Sequence, residues 1–245
     1  MQRIIDDRRP ARRGFPVILV VACLVGLHCG PRPEERRLSI YDLKSNPTQE
    51  NVKLIRDLLE DADRDVRATA LNALVGLDAP DSSRLALSAL RDPDGFVRAT
   101  AAKLLGDLDD SDHVAALSEC LLRDLDPVAR QRAAESLTRL GGSGALDALT
   151  EGLADPMERV RMAVVEGLAK IDPGHAHLEL VRILREDAVW EVRAQAAHAL
   201  GLSGDPEIVP DLRAALEDPN EFVRAAAGNA LRLHESVREE RSGVY

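Results

Sequence analysis

The sequence predicts an all-α protein, a right-handed α-solenoid of six helical hairpins with a period of 31–32 residues. Two observations lead to this prediction. An aspartate, an arginine six residues later and a leucine seven residues after that recur six times, and successive arginines are 31, 32, 31, 32 and 31 residues apart. Around each arginine, aliphatic and small side chains recur at helical spacing. Such a period is typical of units that bury their apolar faces against their neighbours.

The repeated pattern holds at all three positions in every copy. The copies are Asp61, Arg67, Leu74; Asp92, Arg98, Leu105; Asp124, Arg130, Leu137; Asp155, Arg161, Leu168; Asp187, Arg193, Leu200; and Asp218, Arg224, Leu231.

Each repeat is predicted to be two short helices joined by a tight turn. In the second repeat, Val97, Ala101 and Leu105 fall on one side of the second helix. An Asp-Pro pair, such as Asp92-Pro93, ends the first helix in four repeats, because a proline disfavours helical geometry in the preceding residue. A small residue at one fixed position allows close helix packing, and that position holds Ala70, Ala101, Ala133, Val164, Ala196 and Ala227.

The segments Asp92–Arg98 (DPDGFVR) and Asp218–Ala227 (DPNEFVRAAA) resemble the HEAT-repeat superfamily, in the short form of the bilin-lyase-like (PBS-lyase) HEAT repeats. The resemblance covers residues 49–236. It implies a structural ladder of hydrogen bonds between successive repeats rather than a chemical site. The ladder residues would be Asp61, Arg67, Asp92, Arg98, Asp124, Arg130, Asp155, Arg161, Asp187, Arg193, Asp218 and Arg224.

The N-terminal residues 1–28 have the character of an export signal. Five arginines against two aspartates precede an apolar run over residues 15–27, which is short for a membrane span of ~20 residues. A cysteine near the end of such a run resembles a bacterial lipoprotein signal, with either Cys23 or Cys29 as the lipidated residue. We therefore expect a lipid anchor in the bacterial cell envelope, on the periplasmic side or the cell surface. An uncleaved N-terminal segment that anchors the chain in the inner membrane is the alternative.

The remaining segments follow from composition and register. Residues 29–48 are predicted to be a linker and possible N-terminal cap, residues 49–236 the six-unit solenoid, and residues 237–245 a flexible tail. Without its basic N-terminal segment the chain is more acidic than its net charge of −10. An acidic body repels phosphate backbones and disfavours nucleic acid as a partner. It favours a basic partner protein.

Motifs that carry enzyme chemistry are missing from the sequence. There is no glycine-rich phosphate loop, Gly-x-Ser-x-Gly, paired cysteine motif or His-Glu-x-x-His. The di-iron hydroxylases of this scaffold use repeated His-Glu pairs, whereas this chain has one, His234-Glu235. Cys120 is interpreted as a small buried apolar side chain. We therefore expect no cofactor, no metal and no enzyme activity.

A polar stripe on the second helices is the candidate binding surface. Five residues after each ladder arginine the side chain is always polar but differs in type, as recognition surfaces of solenoids do. Together with positions two residues after the arginine, the partner-binding candidates are Lys103, Arg132, Glu135, Glu166, Gln195, His198 and Asn229.

The resulting functional hypothesis is a membrane-tethered, monomeric, non-catalytic scaffold that binds a protein partner on its concave face. The alternative is a lyase-type or chaperone-like accessory subunit that holds a small molecule or an enzyme partner.

Overall fold

The computed structural model describes residues 30–172 and 174–242, with side chains described as far as Ser236. The predicted signal segment, including Cys23 and Cys29, lies outside this range. Every regular element in the described ranges is helical, which confirms the predicted all-α fold class. The chain divides into two compact units, residues 1–79 and 80–245.

In its described residues, 30–79, the first unit contains three α-helices: α1 (Pro33–Ser45), α2 (Gln49–Asp57) and α3 (Arg64–Val75). Helices α2 and α3 are the first predicted hairpin. Helix α1 lies in the segment predicted to be a linker and possible N-terminal cap. Its Ile40 and Leu43 are buried, whereas Leu38 and Tyr41 are more than half exposed.

The ladder begins in α1, one step earlier than the sequence analysis places it. The Nε and Nη2 atoms of Arg36 donate to the two carboxylate oxygens of Asp61 at 2.7 and 2.8 Å. Arg36 stands 31 residues before Arg67 and seven before Leu43, so α1 has the arginine and leucine of the repeat. Gly30 stands where the aspartate belongs, and the missing aspartate hides this half repeat from a search for the full pattern.

The second unit contains five hairpins. Their helices are α4 (Ser82–Ala89), α5 (Gly95–Asp107), α6 (Val114–Arg123), α7 (Pro127–Leu140), α8 (Ser143–Gly152), α9 (Glu158–Ile171), α10 (His177–Glu186), α11 (Trp190–Ser203), α12 (Val209–Ala214) and α13 (Glu221–Ser242). The backbone predicted to be a flexible tail is helical through Ser242. None of the helices in the described ranges is both long and apolar enough to cross a membrane.

The core of the second unit is a continuous layer of Leu, Val and Ala between the helices. The second helices α5, α7, α9, α11 and α13 pack side by side in sequence. Small residues permit this approach: a Cβ atom added to Gly201 of α11 would lie 2.8 Å from the backbone of Ala230 in α13. Ser136 of α7 ties the layer to α5 by donating to the carbonyl of Ala102 at 2.9 Å.

Candidate functional site

The turn edge of the second unit, the set of turns between the two helices of each hairpin, carries the ladder, and four of its arginines each bridge two repeats. Arg98 shows the geometry. Its Nη1 donates to the carbonyl of Asp92, in its own repeat, at 2.8 Å. Its Nε and Nη2 donate to the carboxylate of Asp124, in the next repeat, at 2.8 Å each. One planar guanidinium thereby fixes the end of one helix and the turn of its neighbour.

Three further arginines repeat this arrangement. Arg130 binds the carboxylate of Asp155 at 2.6 and 3.0 Å, Arg161 that of Asp187 at 2.6 and 2.8 Å, and Arg193 that of Asp218 at 2.9 and 2.8 Å. The hydrogen bond to Asp218 raises the pKa of Arg193, and the same bond lowers the pKa of Asp218. The carboxylates are nearly buried and their acceptors are occupied, so these residues join repeats and do not present a reactive group.

The members of the predicted partner-binding stripe are exposed or half-buried on the second helices. Its charges are mostly neutralised within each helix. Lys103 pairs with Asp107 at 2.5 Å, and Arg132 pairs with Glu135 at 2.7 Å. Glu166, on α9, pairs with Lys170 at 2.6 Å. Asn229, on α13, accepts a hydrogen bond from Arg232. Gln195 and His198 lie together on α11. The structure brings only Arg132 and Glu135 of this set into contact.

A different surface, the groove between the first helices α4 and α6, offers a concave site of about 650 Å³. We call it the α4–α6 groove. Its volume is in the range of pockets that hold small ligands, roughly 300–1,000 Å³. It is lined by Arg84, Leu87, Ser88, Leu90, Arg91, Ala116, Glu119, Cys120, Arg123 and Asp124.

Three arginines make this groove locally cationic in an acidic protein. Arg84 pairs with Asp81 at 2.6 Å, whereas Arg91 and Arg123 have no ion pair with any described residue. Asp124, at the floor of the groove, is already bound by Arg98. Glu119 also lines the groove, so the guanidiniums of Arg91 and Arg123 leave it with a net positive charge and are available to an anion.

The groove also has an apolar wall and a buried thiol. Leu87 is 36% exposed and Leu90 is half-buried. Burial, together with the nearby carboxylate of Asp124, raises the pKa of the Cys120 thiol to about 12. Cys120 is therefore a neutral thiol at physiological pH and belongs to the apolar floor of the groove.

A signal for the groove was present in the sequence. The residue directly before each ladder aspartate is an arginine in two consecutive repeats, at Arg91 and Arg123. The other four repeats have Glu60, Ala154, Glu186 and Glu217 at that position. The fixed register placed both arginines at the ends of neighbouring first helices, Arg91 two residues after α4 and Arg123 at the last residue of α6. A smaller groove of about 390 Å³ continues between α6 and α8 and shares Arg123.

Potential metal ligands do not gather elsewhere in the described ranges, which contain no group of three or more His, Cys, Asp or Glu side chains able to hold an ion. His234, of the lone His-Glu pair, is 3% exposed in α13. The described residues therefore do not fit the ligand set that the di-iron hydroxylases of this scaffold require.

The aromatic residues of two neighbouring turns contact each other. The rings of Trp190 and Phe222 stack with their centroids 4.9 Å apart and an interplanar angle of 26°. Phe96, at the corresponding turn of the second repeat, is 47% exposed. The Trp190–Phe222 contact joins the last two hairpins at the turn edge.

Comparison with known proteins gives one curated relative of assigned activity. The chain is 34% identical over 131 residues to deoxyhypusine hydroxylase of Gallus gallus, a match that spans 52% of this chain and 44% of that enzyme. This relative contradicts two expectations from the sequence. The prediction that the chain is not an enzyme is wrong by this comparison, and so is the hypothesis of a non-catalytic scaffold.

Solved structures share the architecture at low identity. A HEAT-like repeat protein from Thermococcus onnurineus NA1 is 16% identical with a TM-score of 0.53, and the alignment covers 85% of this chain and 99% of that protein. YibA of E. coli is 20% identical with a TM-score of 0.56, over 89% of this chain and 80% of that protein. These similarities show the fold alone.

The family model for HEAT repeats matches three stretches of the sequence, residues 50–138, 83–169 and 178–242. Together these stretches cover most of the chain and coincide with the stacked hairpins. The ladder, the small residues between second helices and this match agree on one conclusion. The chain belongs to the family of HEAT-repeat proteins.

Proposed function

We propose that this chain is a lyase-type accessory subunit of an enzyme and that it holds an anionic small molecule in the α4–α6 groove. One observation carries the proposal: Arg84, Arg91 and Arg123 surround an apolar-walled cavity in a protein of net charge −10. The similarity to an enzyme built on the same repeats supports a role in an enzymatic reaction.

The chemistry of the lining selects the class of ligand. Guanidinium groups bind carboxylate, phosphate or sulfonate oxygens in a bidentate manner. Leu87, Leu90 and Ala116 offer an apolar surface for the body of the molecule. The ligand is thus a compact anion with an apolar body, because a fully polar anion would leave this wall without a contact.

The proposal is tested with a defined amphipathic anion, 8-anilinonaphthalene-1-sulfonate, titrated into the full chain and followed by fluorescence. Reversing the charge at one groove arginine removes a charge-assisted contact, so Arg91→Glu and Arg123→Glu should each weaken binding about tenfold or more. Arg213→Glu is the matched control, because it makes the same charge change on the first helix α12 of another repeat.

Equal affinity of the groove variants and the control would remove the groove from consideration. Native mass spectrometry of the protein from its own cells extends the test to the natural ligand. The expected result is a retained small anion whose mass peak is lost in Arg123→Glu.

We also propose that the N-terminal segment tethers the chain to a membrane through a lipid on Cys23 or Cys29. The basic residues and the apolar run over residues 15–27 support this. Labelling with radioactive palmitate should mark the wild type and be lost in Cys23→Ser or in Cys29→Ser, whichever removes the acceptor. Labelling that persists in both single variants and in the double variant contradicts lipidation at these cysteines, whereas an unlabelled wild type favours the uncleaved anchor.

A further inference from the structure

The last ladder arginine, Arg224, is held in the ladder conformation but has no carboxylate. Its Nη1 donates to the carbonyls of Asp218 and Pro219 at 2.8 and 3.0 Å. Arg98 makes the same two contacts with Asp92 and Pro93 at 2.8 and 3.1 Å. The Nε and Nη2 atoms of Arg98 bind a carboxylate, whereas those of Arg224 donate to no atom of the described residues.

The surface of α13 beside Arg224 is uncovered as well. One and four residues after the ladder arginine, the interior helix α5 has Ala99 and Ala102, which are 5% and 0% exposed. The corresponding residues of α13 are Ala225, which is exposed, and Gly228, which is half-buried. Leu216, beneath α13, is 37% exposed. In the described part of the chain, this face is the one that a further hairpin covers in each preceding repeat of the second unit.

Each arginine–aspartate contact of the ladder is called a rung here. The four filled rungs show which chemistry completes such a face. The carboxylate that each arginine binds belongs to an aspartate at the turn between two helices. The same carboxylate accepts the backbone amide two residues further on, as Asp155 does from Met157 at 2.8 Å and Asp187 from Val189 at 2.9 Å. The acceptor is therefore rigid and arrives together with a helix N-terminus, unlike the mobile end of a surface side chain.

We propose that the exposed face of α12 and α13 binds a helical hairpin of a partner protein whose turn aspartate enters the guanidinium fork of Arg224. The fork is already oriented by its two carbonyl contacts, so binding orders no additional arginine side chain. The apolar strip of Leu216, Ala225 and Gly228 receives the apolar face of the partner helices, as the corresponding surfaces do between the repeats of this chain. A second copy of this chain fits less well, since Gly30 stands at the ladder position that precedes its α1.

The test places the photo-crosslinking residue p-benzoylphenylalanine at position 225 of the full chain in its own cells and identifies cross-linked peptides by mass spectrometry. The expected peptide comes from another protein and lies beside an aspartate in a turn between two helices. Arg224→Gln should reduce the yield at least tenfold, and the aspartate-to-asparagine change in that peptide should do the same. Arg159→Gln, an exposed arginine of helix α9 outside this face, is the control and should leave the yield unchanged.

A stability measurement separates docking from a purely structural role. Arg224→Gln should move the thermal midpoint by less than about 2 °C, whereas Arg193→Gln, which breaks a filled rung, should lower it by at least about 6 °C. The proposal is overturned by the absence of cross-links, by cross-links to this chain or a second copy of it, by a peptide without the turn aspartate, or by an unchanged yield in Arg224→Gln.

Discussion

The turn edge and the α4–α6 groove use the same side chain, arginine, for different purposes. At the turn edge, Arg130 contacts the carboxylate of Asp155 and the carbonyl of Asp124, and its side chain is 10% exposed. In the groove, Arg91 and Arg123 are exposed and have no dedicated acid among the described residues. A buried, fully bonded guanidinium stabilises the fold, whereas an exposed one remains available for a ligand.

Residues that recur in every repeat and residues that form a local site are different sets in this chain. The ladder arginine makes the same contact in four successive repeats of the second unit, and that contact joins neighbouring repeats. A residue type confined to two adjacent repeats, such as the arginine before the ladder aspartate, marks a local site.

Removing one interior rung should have the largest effect. Arg130→Gln leaves Asp155 buried without its counter-ion, which costs about 3–5 kcal/mol of unfolding free energy. Arg123→Gln, the matched change in the groove seven residues earlier, should stay within about 0.5 kcal/mol of the wild type. Urea denaturation of both variants measures the difference. Equal destabilisation by the two changes would mean that the rung contributes no more than an exposed arginine.

Filling the space between second helices should have an intermediate effect. A Cβ atom at residue 201 would stand 2.8 Å from the backbone of Ala230, so Gly201→Ala forces α11 and α13 apart at a cost of about 1–3 kcal/mol. Gly228→Ala is the control, because the nearest atom to its added Cβ is the tip of Leu216, 3.8 Å away. That change should be neutral or stabilise by up to about 1 kcal/mol, since alanine favours a helix interior. Destabilisation by Gly228→Ala would show that the face is covered.

Acid should weaken the turn edge by protonating the aspartates of the ladder. The pKa of Asp218 is lowered from its usual 3.8 by the hydrogen bond from Arg193. A carboxylate with a lower pKa in the folded state stabilises the fold above its unfolded pKa, and this contribution is lost as the pH falls through the folded value. The urea concentration at the unfolding midpoint should therefore decrease as the pH is lowered below about 4. This decrease should be smaller in Asp218→Asn. An identical acid dependence of the variant would contradict the assignment to this rung.

Much of the fold could be predicted from residue types and spacing because each repeat is a local unit. The period placed the five hairpins of the second unit and the one of the first, and the alanine position marked the contact between second helices. Residues 29–48 were predicted to be a linker and possible N-terminal cap but not a helix of the repeat, since Gly30 interrupts the three-residue pattern although Arg36 and Leu43 continue it. This helix is held by a side-chain hydrogen bond from Arg36 to Asp61, which lies 25 residues later in the sequence. Local helix propensity does not reveal such a contact.

The site was harder to predict, because it depends on which helix faces which. The polar stripe of the second helices follows from register alone, yet the structure satisfies most of its charges within single helices. The α4–α6 groove lies on first helices whose arginines look like ordinary surface residues in the sequence.

By itself, the sequence determined the helical repeat, its period and the identity of the ladder residues, because those depend on periodicity and side-chain size. Only the tertiary structure decided which carboxylate each arginine binds, that Arg224 binds none among the described residues, and that Arg84, Arg91 and Arg123 meet at one cavity. These features depend on distances between helices far apart in the chain, and such distances are fixed only when the repeats pack.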